Sequence, residues 1–338
     1  MPESRTTPLP ETTQQGLPVS YVERSGTLLP MVSASARDHD PHAWLLAHRD
    51  ELRRLVLRHG ALRISGAGPA GTEHLSDVAA VLGGSALRYT ERSTPRSQVA
   101  ATVYTSTDYP ADQRIPQHNE SSYSTRWPDH LFFLAARAAA SGGQTPVADS
   151  RAVLDELPPE LVARFAELGV RYTRAYHDGV GLSWREAFQT EERSDVEAYC
   201  LSSGIEWEWD GDMLRTSQVR PALTTHPVTR ATVWFNQAHL FHVGSLPKAT
   251  TEALLALFDE RDLPRNAYFG DGSPIGENVL AEIHAAFERT SVSPDWEEGD
   301  LLMVDNVLAS HGRAPYEGDR TVLVSMTAAD WDDWRALS

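Results

Sequence analysis

Cysteine is almost missing from this chain: Cys200 stands alone among 338 residues. That excludes an internal disulfide and any thiolate metal cluster, and it fits a reducing compartment, the cytoplasm. Basic runs are missing too. Lys and Arg total 30 against 47 Asp and Glu, for a formal charge of −17. Without a Lys/Arg stripe to displace counterions, neither nucleic acid nor an anionic membrane is expected as a partner. The longest apolar stretch, 131–140, is broken by Arg137 and falls well short of the roughly 20 residues a membrane helix needs. The opening MPESRTTPLPETTQQGLP has no apolar segment of the kind that marks secretion. No internal repeat at a solenoid or propeller period is present.

What remains is an ordinary globular composition, 41% hydrophobic and 23% charged. Residues 1–20, rich in Pro, Thr and Gln, read as a flexible tail. Residues 21–338 read as one domain. PHAWLLAHRDELRRLVLRH (41–59) places Trp44, Leu45, Leu52, Leu55 and Val56 near one helical face, ALRIS (61–65) reads as a strand, and Thr72–Leu82 as a second helix. The polar, proline-punctuated stretch 85–117 has the look of a loop or strand edge over a site. Helical insertions are expected at about 150–203 and 249–289, and short strands recur through the second half (IEWEWDGDMLRT, ATVWFNQAHLFHV, DLLMVDN, RTVLVSM). Trp207 and Trp209 alternate with Glu206 and Glu208 as in a half-buried strand. Many short strands without regular βαβ alternation predict a mainly β, α+β fold: a jelly roll (double-stranded β-helix) decorated by helices.

Two motifs could carry chemistry. Gly66-Ala67-Gly68-Pro69-Ala70-Gly71 has the form of a dinucleotide turn, but Pro69 removes an N–H there and no acidic-ended second strand follows at the proper distance. A glycine-rich strand-to-helix turn is the plainer alternative. The second motif is His-x-Asp/Glu, half of a two-histidine, one-carboxylate metal site. With 13 His and 47 acids in the chain, about two such triplets arise by chance, and two occur. His48 and Asp50 fall in the helical stretch, pointing about 200° apart around its axis, and cannot share an ion. His118 and Glu120 follow a β-leaning stretch, where residues two apart lie on one face. A hydrogen-bonded histidine on a sheet would look the same at His118.

A facial triad needs one further imidazole, and LLMVDNVLASHGRAPYEGDRTVLVSM offers His311 directly after an apolar strand. Arg313 and Arg320 follow. An arginine beside a metal suits a dicarboxylate co-substrate such as 2-oxoglutarate. Gly142-Gly143-Gln144-Thr145 supplies a tight turn and then a hydroxyl at the start of the next strand. Singly, Arg320 is better read as a surface ion pair and Thr145 as a β-propensity choice.

Together these residues resemble the taurine dioxygenase-like (TauD/TfdA) superfamily of Fe(II)/2-oxoglutarate-dependent oxygenases, in which clavaminate synthase also uses His-x-Glu, and within it the SyrP-like branch associated with amino-acid tailoring in nonribosomal peptide pathways. The blocks that carry the likeness are VYTSTDYP (103–110), IPQHNE (115–120), GGQTPVADSR (142–151), VWFNQAHLFHV (233–243), RNAYFGDGSPI (265–275) and DNVLASHGRAPYEGDR (305–320). The resemblance covers about Gly60 to Met326. It implies that His118, Glu120 and His311 bind iron, that Arg320 pairs with the distal carboxylate of 2-oxoglutarate, and that Thr145 supports that co-substrate, with O2 as the oxidant. Some relatives carry another arginine where this chain has Val324, so a substrate contact assigned to that arginine is not carried over. Because Glu120 stands where related halogenases have a small residue, hydroxylation of an unactivated C–H is the expected outcome, with desaturation or cyclisation as alternatives.

The expected substrate is a small amino-acid-like molecule, free or held on a peptidyl carrier protein. Arg92, Arg96, Ser106 and Asn236 are candidate substrate contacts, although loop capping or solvation accounts for each as well. His239 and His242 read as packing or hydrogen-bonding residues. A nicotinamide oxidoreductase using the 66–71 turn and a non-catalytic binding barrel remain as rivals from other classes, and assembly into a homo-oligomer is left open.

Overall fold

The computed structural model describes residues 5–13, 16–34, 40–69, 71–87, 98–100, 103–105, 109–177 and 179–337. Its largest sheet has ten strands among the described residues. They run in the order Arg5–Thr12, Pro18–Arg24, Thr27–Ser33, Ala61–Ser65, Leu301–Asp305, His130–Arg137, Thr321–Ala328, Val103–Thr105 and Gln98–Ala100, with Ser85–Ala86 added beside Thr321–Ala328. The central strands are apolar on both faces because both are covered. Leu62, Ile64, Phe132, Leu134, Leu301, Met303 and Leu323 turn toward a layer built on helices Pro41–His59 and Thr72–Leu82. Their neighbours Leu131, Phe133, Leu302, Val304, Val322 and Val324 turn the other way, into the barrel, where they meet Val147 and Ala309. The period of two therefore sorts one apolar residue from the next.

Val147 and Ala309 belong to a three-stranded antiparallel sheet, Val147–Asp149, Ala309–Arg313 and Ile115–His118, that closes the barrel. The two facing sheets make a double-stranded β-helix with helices around it. Helix Pro41–His59 forms where it was expected, because Asp40 accepts hydrogen bonds from the His42 and Ala43 N–H groups, Pro41 opens the first turn, and Gly60, at φ +79°, ends it. His48 lies within it, its ring bonded to the Trp44 carbonyl, well away from any metal-ligand role.

One expectation is corrected here. It concerns the N-terminal residues, which do not stay out of the fold. Arg5–Thr12 and Pro18–Arg24 are antiparallel strands, pairing Arg5 with Glu23 and Thr12 with Pro18, and Leu17, Val19, Tyr21 and Val22 are buried. Composition misleads here because Pro8 and Pro10 sit on an edge strand, where a missing N–H costs no ladder bond; the register shifts between Thr7 and Glu11, around them.

The segments 150–203 and 249–289 hold the helices Ser150–Glu156, Pro159–Leu168, Trp184–Phe188 and Arg193–Ser203, and Lys248–Leu257 and Glu277–Thr290. Each also contributes a strand, Val170–Tyr176 and Asn266–Phe269. These pair with one another in a four-stranded sheet with Glu206–Asp210 and Met213–Arg220, so one layer holds both. Trp207 and Trp209 lie half-buried on Glu206–Asp210, in the alternation expected.

The 66–71 turn is the plain strand-to-helix connection. The His74 ring fills it, bonding to the Ala67 carbonyl at 2.8 Å, and a Cβ on Gly68 would come 2.5 Å from that ring. Its strand joins a mostly antiparallel sheet, so the doubly wound setting of a nicotinamide site is not found among the described residues. No helix among the described residues is long and apolar enough to cross a membrane.

Candidate metal centre

His118 ends the strand Ile115–His118 and lies directly across the register from His311, in the middle of Ala309–Arg313. The two rings approach to 4.5 Å between centroids. Glu120, two residues on, brings a carboxylate oxygen 3.9 Å from Nε2 of each histidine. All three ligand atoms lie within 4.8 Å of one another, and all three residues are buried. His118 Nδ1 donates to the Pro116 carbonyl at 2.8 Å, which fixes the neutral tautomer with the Nε2 lone pair aimed at the centre. Two neutral imidazoles and one hard carboxylate on one side of a point, with the other side open, form the donor set that suits Fe(II).

Glu120 is not on the strand. The chain leaves the strand at Asn119, and Glu120 lies in a turn followed by Ser121 in the left-handed region at φ +56°. Asn306 holds this turn. Its Oδ1 accepts the Glu120 N–H at 2.7 Å, and its Nδ2 donates to the Glu120 and Pro128 carbonyls at 2.9 Å each. Asn119 completes the clasp by donating to the Asn306 carbonyl at 2.7 Å. Asp305 in turn accepts the Val307 and Leu308 N–H groups, and through its other oxygen the His226 Nε2–H at 3.0 Å. Burial works to raise the Asp305 pKa, but the His226 hydrogen bond and the nearby His226 and His130 rings bring it below the usual carboxylate value.

A pocket of about 870 Å³, part of it open to solvent, opens from the centre. Phe133, Val322, Val324 and Ile115 give it apolar walls, and Thr145, Gln237, Arg265, Arg313 and Arg320 supply polar groups. Arg320 Nε donates to the Gly143 carbonyl at 2.9 Å. Burial first, and then Arg313, pull its pKa down to about 10, against an opposing effect of Tyr316. Thr145 Oγ1 accepts from Trp296 Nε1 at 3.2 Å, which leaves the hydroxyl proton to donate elsewhere. Arg313 is committed to the backbone, donating to the Tyr109, Pro110 and Gln113 carbonyls. It fastens the 109–113 loop to the site.

Of the four substrate candidates, Arg92, Arg96 and Ser106 lie outside the described residues. Asn236 is corrected: it is wholly buried and does not line the pocket, its Nδ2 donating to the Ala222 carbonyl and its Oδ1 accepting the Ala238 N–H at the start of helix Ala238–Phe241. His239 and His242 hold packing and hydrogen-bonding positions as expected. His239 donates to the Gln117 carbonyl at 2.7 Å and His242 accepts the Gly244 N–H. Sequence reasoning missed Asn306, Gln237, Trp296 and Arg265. Asn306, Gln237 and Arg265 stand inside blocks already marked as family-like, but nothing in their spacing tells a pocket residue from a loop cap.

An open two-histidine, one-carboxylate centre within a double-stranded β-helix is the architecture of non-haem iron oxygenases, and comparison with known proteins agrees. The profile of the taurine catabolism dioxygenase TauD, TfdA family matches residues 25–327, and the chain belongs to that family. It is a non-haem iron dioxygenase that takes Fe(II), 2-oxoglutarate and O2. It is 40% identical over 297 residues to the dapdiamide synthesis protein DdaC of Enterobacter agglomerans, covering 88% of this chain and 90% of that one. It is 29% identical over 287 residues to a clavaminate synthase-like protein of Arabidopsis thaliana, covering 81% and 83%. Among solved structures, PvcB, an Fe, alpha-ketoglutarate dependent oxygenase from an isonitrile synthetic pathway, matches with a TM-score of 0.52 at 16% identity, over 97% of this chain and 92% of PvcB. A taurine dioxygenase from Burkholderia xenovorans matches with a TM-score of 0.51 at 15% identity, over 92% and 90%. At such identities the structural matches speak for the fold.

Proposed function

We propose that this enzyme hydroxylates an unactivated C–H bond of an amino acid or amino-acid-derived substrate in specialised metabolism, releasing succinate and CO2. The observation that carries the reading is the complete His118–Glu120–His311 triad opening into the same pocket as Arg320 and Thr145. In this reading the two histidines and Glu120 hold iron on one side. Arg320 pairs with the distal carboxylate of 2-oxoglutarate and the Thr145 hydroxyl donates to the same molecule. When bound, iron and 2-oxoglutarate supply the oxidising power by coupling O2 reduction to decarboxylation of the co-substrate. Phe133, Val322, Val324 and Ile115 keep water from the reacting face and help decide which substrate carbon is presented. Glu120 fills the position a halide would need, which favours hydroxylation over halogenation. The 40% identical relative named for dapdiamide synthesis supports an antibiotic-type pathway, with the substrate free or delivered on a peptidyl carrier protein. Cys200, buried and unbridged, fits the cytoplasm.

The test is anaerobic titration of the protein with Fe(II) and then 2-oxoglutarate, following the weak visible charge-transfer band of the chelated complex. The band should be absent in His311→Ala and should require at least tenfold more 2-oxoglutarate in Arg320→Ala. Folded, iron-loaded protein that gives no band would overturn the co-substrate assignment. With O2 and a pool of amino acids and carrier-bound amino acids, the product should carry one added oxygen; loss of two hydrogens instead would identify desaturation or cyclisation.

A further inference from the structure

Arg265 is unlike the other enclosed arginines of this protein. Arg53 donates to the Leu82 and Val81 carbonyls, Arg63 pairs with Asp300, Arg151 with Asp149, and Arg313 with three carbonyls. Arg265, partly buried, has neither a hydrogen bond nor an ion pair among the described residues; the Phe241 ring lies 5.8 Å from its guanidinium carbon. A half-buried guanidinium that makes no hydrogen bond within the described residues keeps its donors for water or for a ligand entering the pocket. Carboxylates are not scarce here, with 47 acidic side chains against 30 basic ones.

Its surroundings sharpen the point. Arg265 immediately precedes the strand Asn266–Phe269, whose start is fixed where Asn266 Oδ1 accepts the Val243 N–H at 3.1 Å. Asn266 pairs with Thr173 across the sheet, and the next step of that register sets Arg265 opposite Arg174, which stacks over Tyr176 at 4.6 Å. Two like charges placed close together on neighbouring chain segments repel, and both add to the positive potential that an incoming anion would meet. Burial and the Arg174 charge together lower the Arg265 pKa, with Tyr109 and Tyr123 opposing. Arg265 also lines two cavities. One is the metal pocket, shared with His118, Glu120 and His311. The other is largely apolar, lined by Arg174, Tyr176, Leu182, Phe241, Leu246 and Leu254 among others.

We propose that Arg265 determines specificity in this enzyme, its guanidinium pairing with an anionic oxygen group on the substrate while the substrate's reacting carbon faces the metal centre. That group is the carboxylate of a free amino-acid derivative or the phosphate of a carrier's pantetheine arm. The inference rests on the oxygenase reading. It assigns the second cavity to whatever lies beyond the anionic group, and it separates two jobs within one pocket, with Arg320 holding the co-substrate and Arg265 the substrate.

The experiment uses N-acetylglycine, its neutral amide N-acetylglycinamide, and inorganic phosphate, titrated calorimetrically into wild type, Arg265→Gln and Arg265→Lys, each with Mn(II) and saturating 2-oxoglutarate. Wild type should bind N-acetylglycine or phosphate at least tenfold more tightly than the amide. Arg265→Gln should abolish that preference and Arg265→Lys retain part of it, while thermal melting shows all three folded. N-acetylglycine binding more tightly than phosphate would assign the site to a free acid, and the reverse order to a carrier arm. Absence of any anion preference in wild type, or its persistence in Arg265→Gln, would overturn the proposal. So would a tenfold loss of 2-oxoglutarate affinity in Arg265→Gln with none in Arg320→Gln, which would make Arg265 the co-substrate residue. The same titrations separate the two readings: if metal-loaded wild type takes no 2-oxoglutarate yet shows an anion preference lost in Arg265→Gln, the oxygenase reading fails and the anion site stands.

Discussion

Single side chains set the geometry of the metal centre from outside it. Asn306 does not touch the ion position, yet it fixes the backbone on both sides of the Glu120 peptide. Replacing it with alanine leaves buried donors and acceptors unmade, at a cost of about 3 kcal/mol. Asn306→Ala should therefore lower the melting temperature and also weaken Fe(II) binding by about 10- to 100-fold, measured by competition with a chromogenic chelator; an unchanged metal affinity would show that Glu120 holds its place unaided. Buried histidines make a second residue-scale prediction. His59, by burial and then Arg58 and Arg151, and His130, by burial with Arg53 and His226 added and Asp305 opposing, are both pushed down to about 4. The unfolded chain takes up those protons near 6.5 and the folded one refuses them until about 4, so the stability they contribute is complete above 6.5 and lost as pH falls to 4. Asp129 acts in the opposite sense: burial raises it to about 6, so the folded state takes that proton first and recovers part of the loss. Urea midpoints should fall from pH 7 to pH 4, and more gently in His59→Gln.

At the scale of elements, the turn from Ser141 to Thr145 does two things with two adjacent glycines. Gly142 and Gly143 both sit at φ +71°. A Cβ on Gly142 would meet the Pro315 carbonyl oxygen at 2.1 Å, and one on Gly143 would meet Arg320 Cδ at 2.9 Å. Gly142→Ala should cost at least about 2 kcal/mol in chemical denaturation, since left-handed strain adds to a backbone clash. Gly143→Ala shares the left-handed strain, about 1–2 kcal/mol, and should in addition raise the Kd for 2-oxoglutarate, because the side chain it displaces is Arg320. The same elements show what the sequence discloses. Helix Pro41–His59 was legible because its cap, its proline and its apolar face agree. The His118–Glu120 pair was separated from His48–Asp50 by period, a test right for the helix and only half right for the sheet, since Glu120 stands in a turn whose shape depends on Asn306, 186 positions away. The hairpin before residue 24 was hidden because proline-rich composition says little about an edge strand. Arg265 was hidden because an arginine with no partner among the described residues looks, in sequence, like any other.

Taken whole, the molecule presents a barrel closed by a small sheet that carries His118 and His311, two of the three proposed metal ligands, on paired strands. Binding an ion there must stabilise the closure itself. Mn(II) with 2-oxoglutarate at 100 times the dissociation constant should raise stability by about 2.7 kcal/mol, read as a shift in the thermal midpoint that Glu120→Ala loses. Carving Phe132 out of the contact between the large sheet and its helical layer should cost about 3–5 kcal/mol, measured by urea denaturation, with 2-oxoglutarate affinity little changed because that ring faces away from the pocket. The register that joins His118 to His311 also bears on how the enzyme is made. More than half the chain separates the two, and the strand Thr321–Ala328 that walls the pocket comes later still. A nascent chain thus holds no complete chelate until residue 311 has been made and its strand has paired with Ile115–His118, so metal acquisition follows the closing of the small sheet and does not seed it.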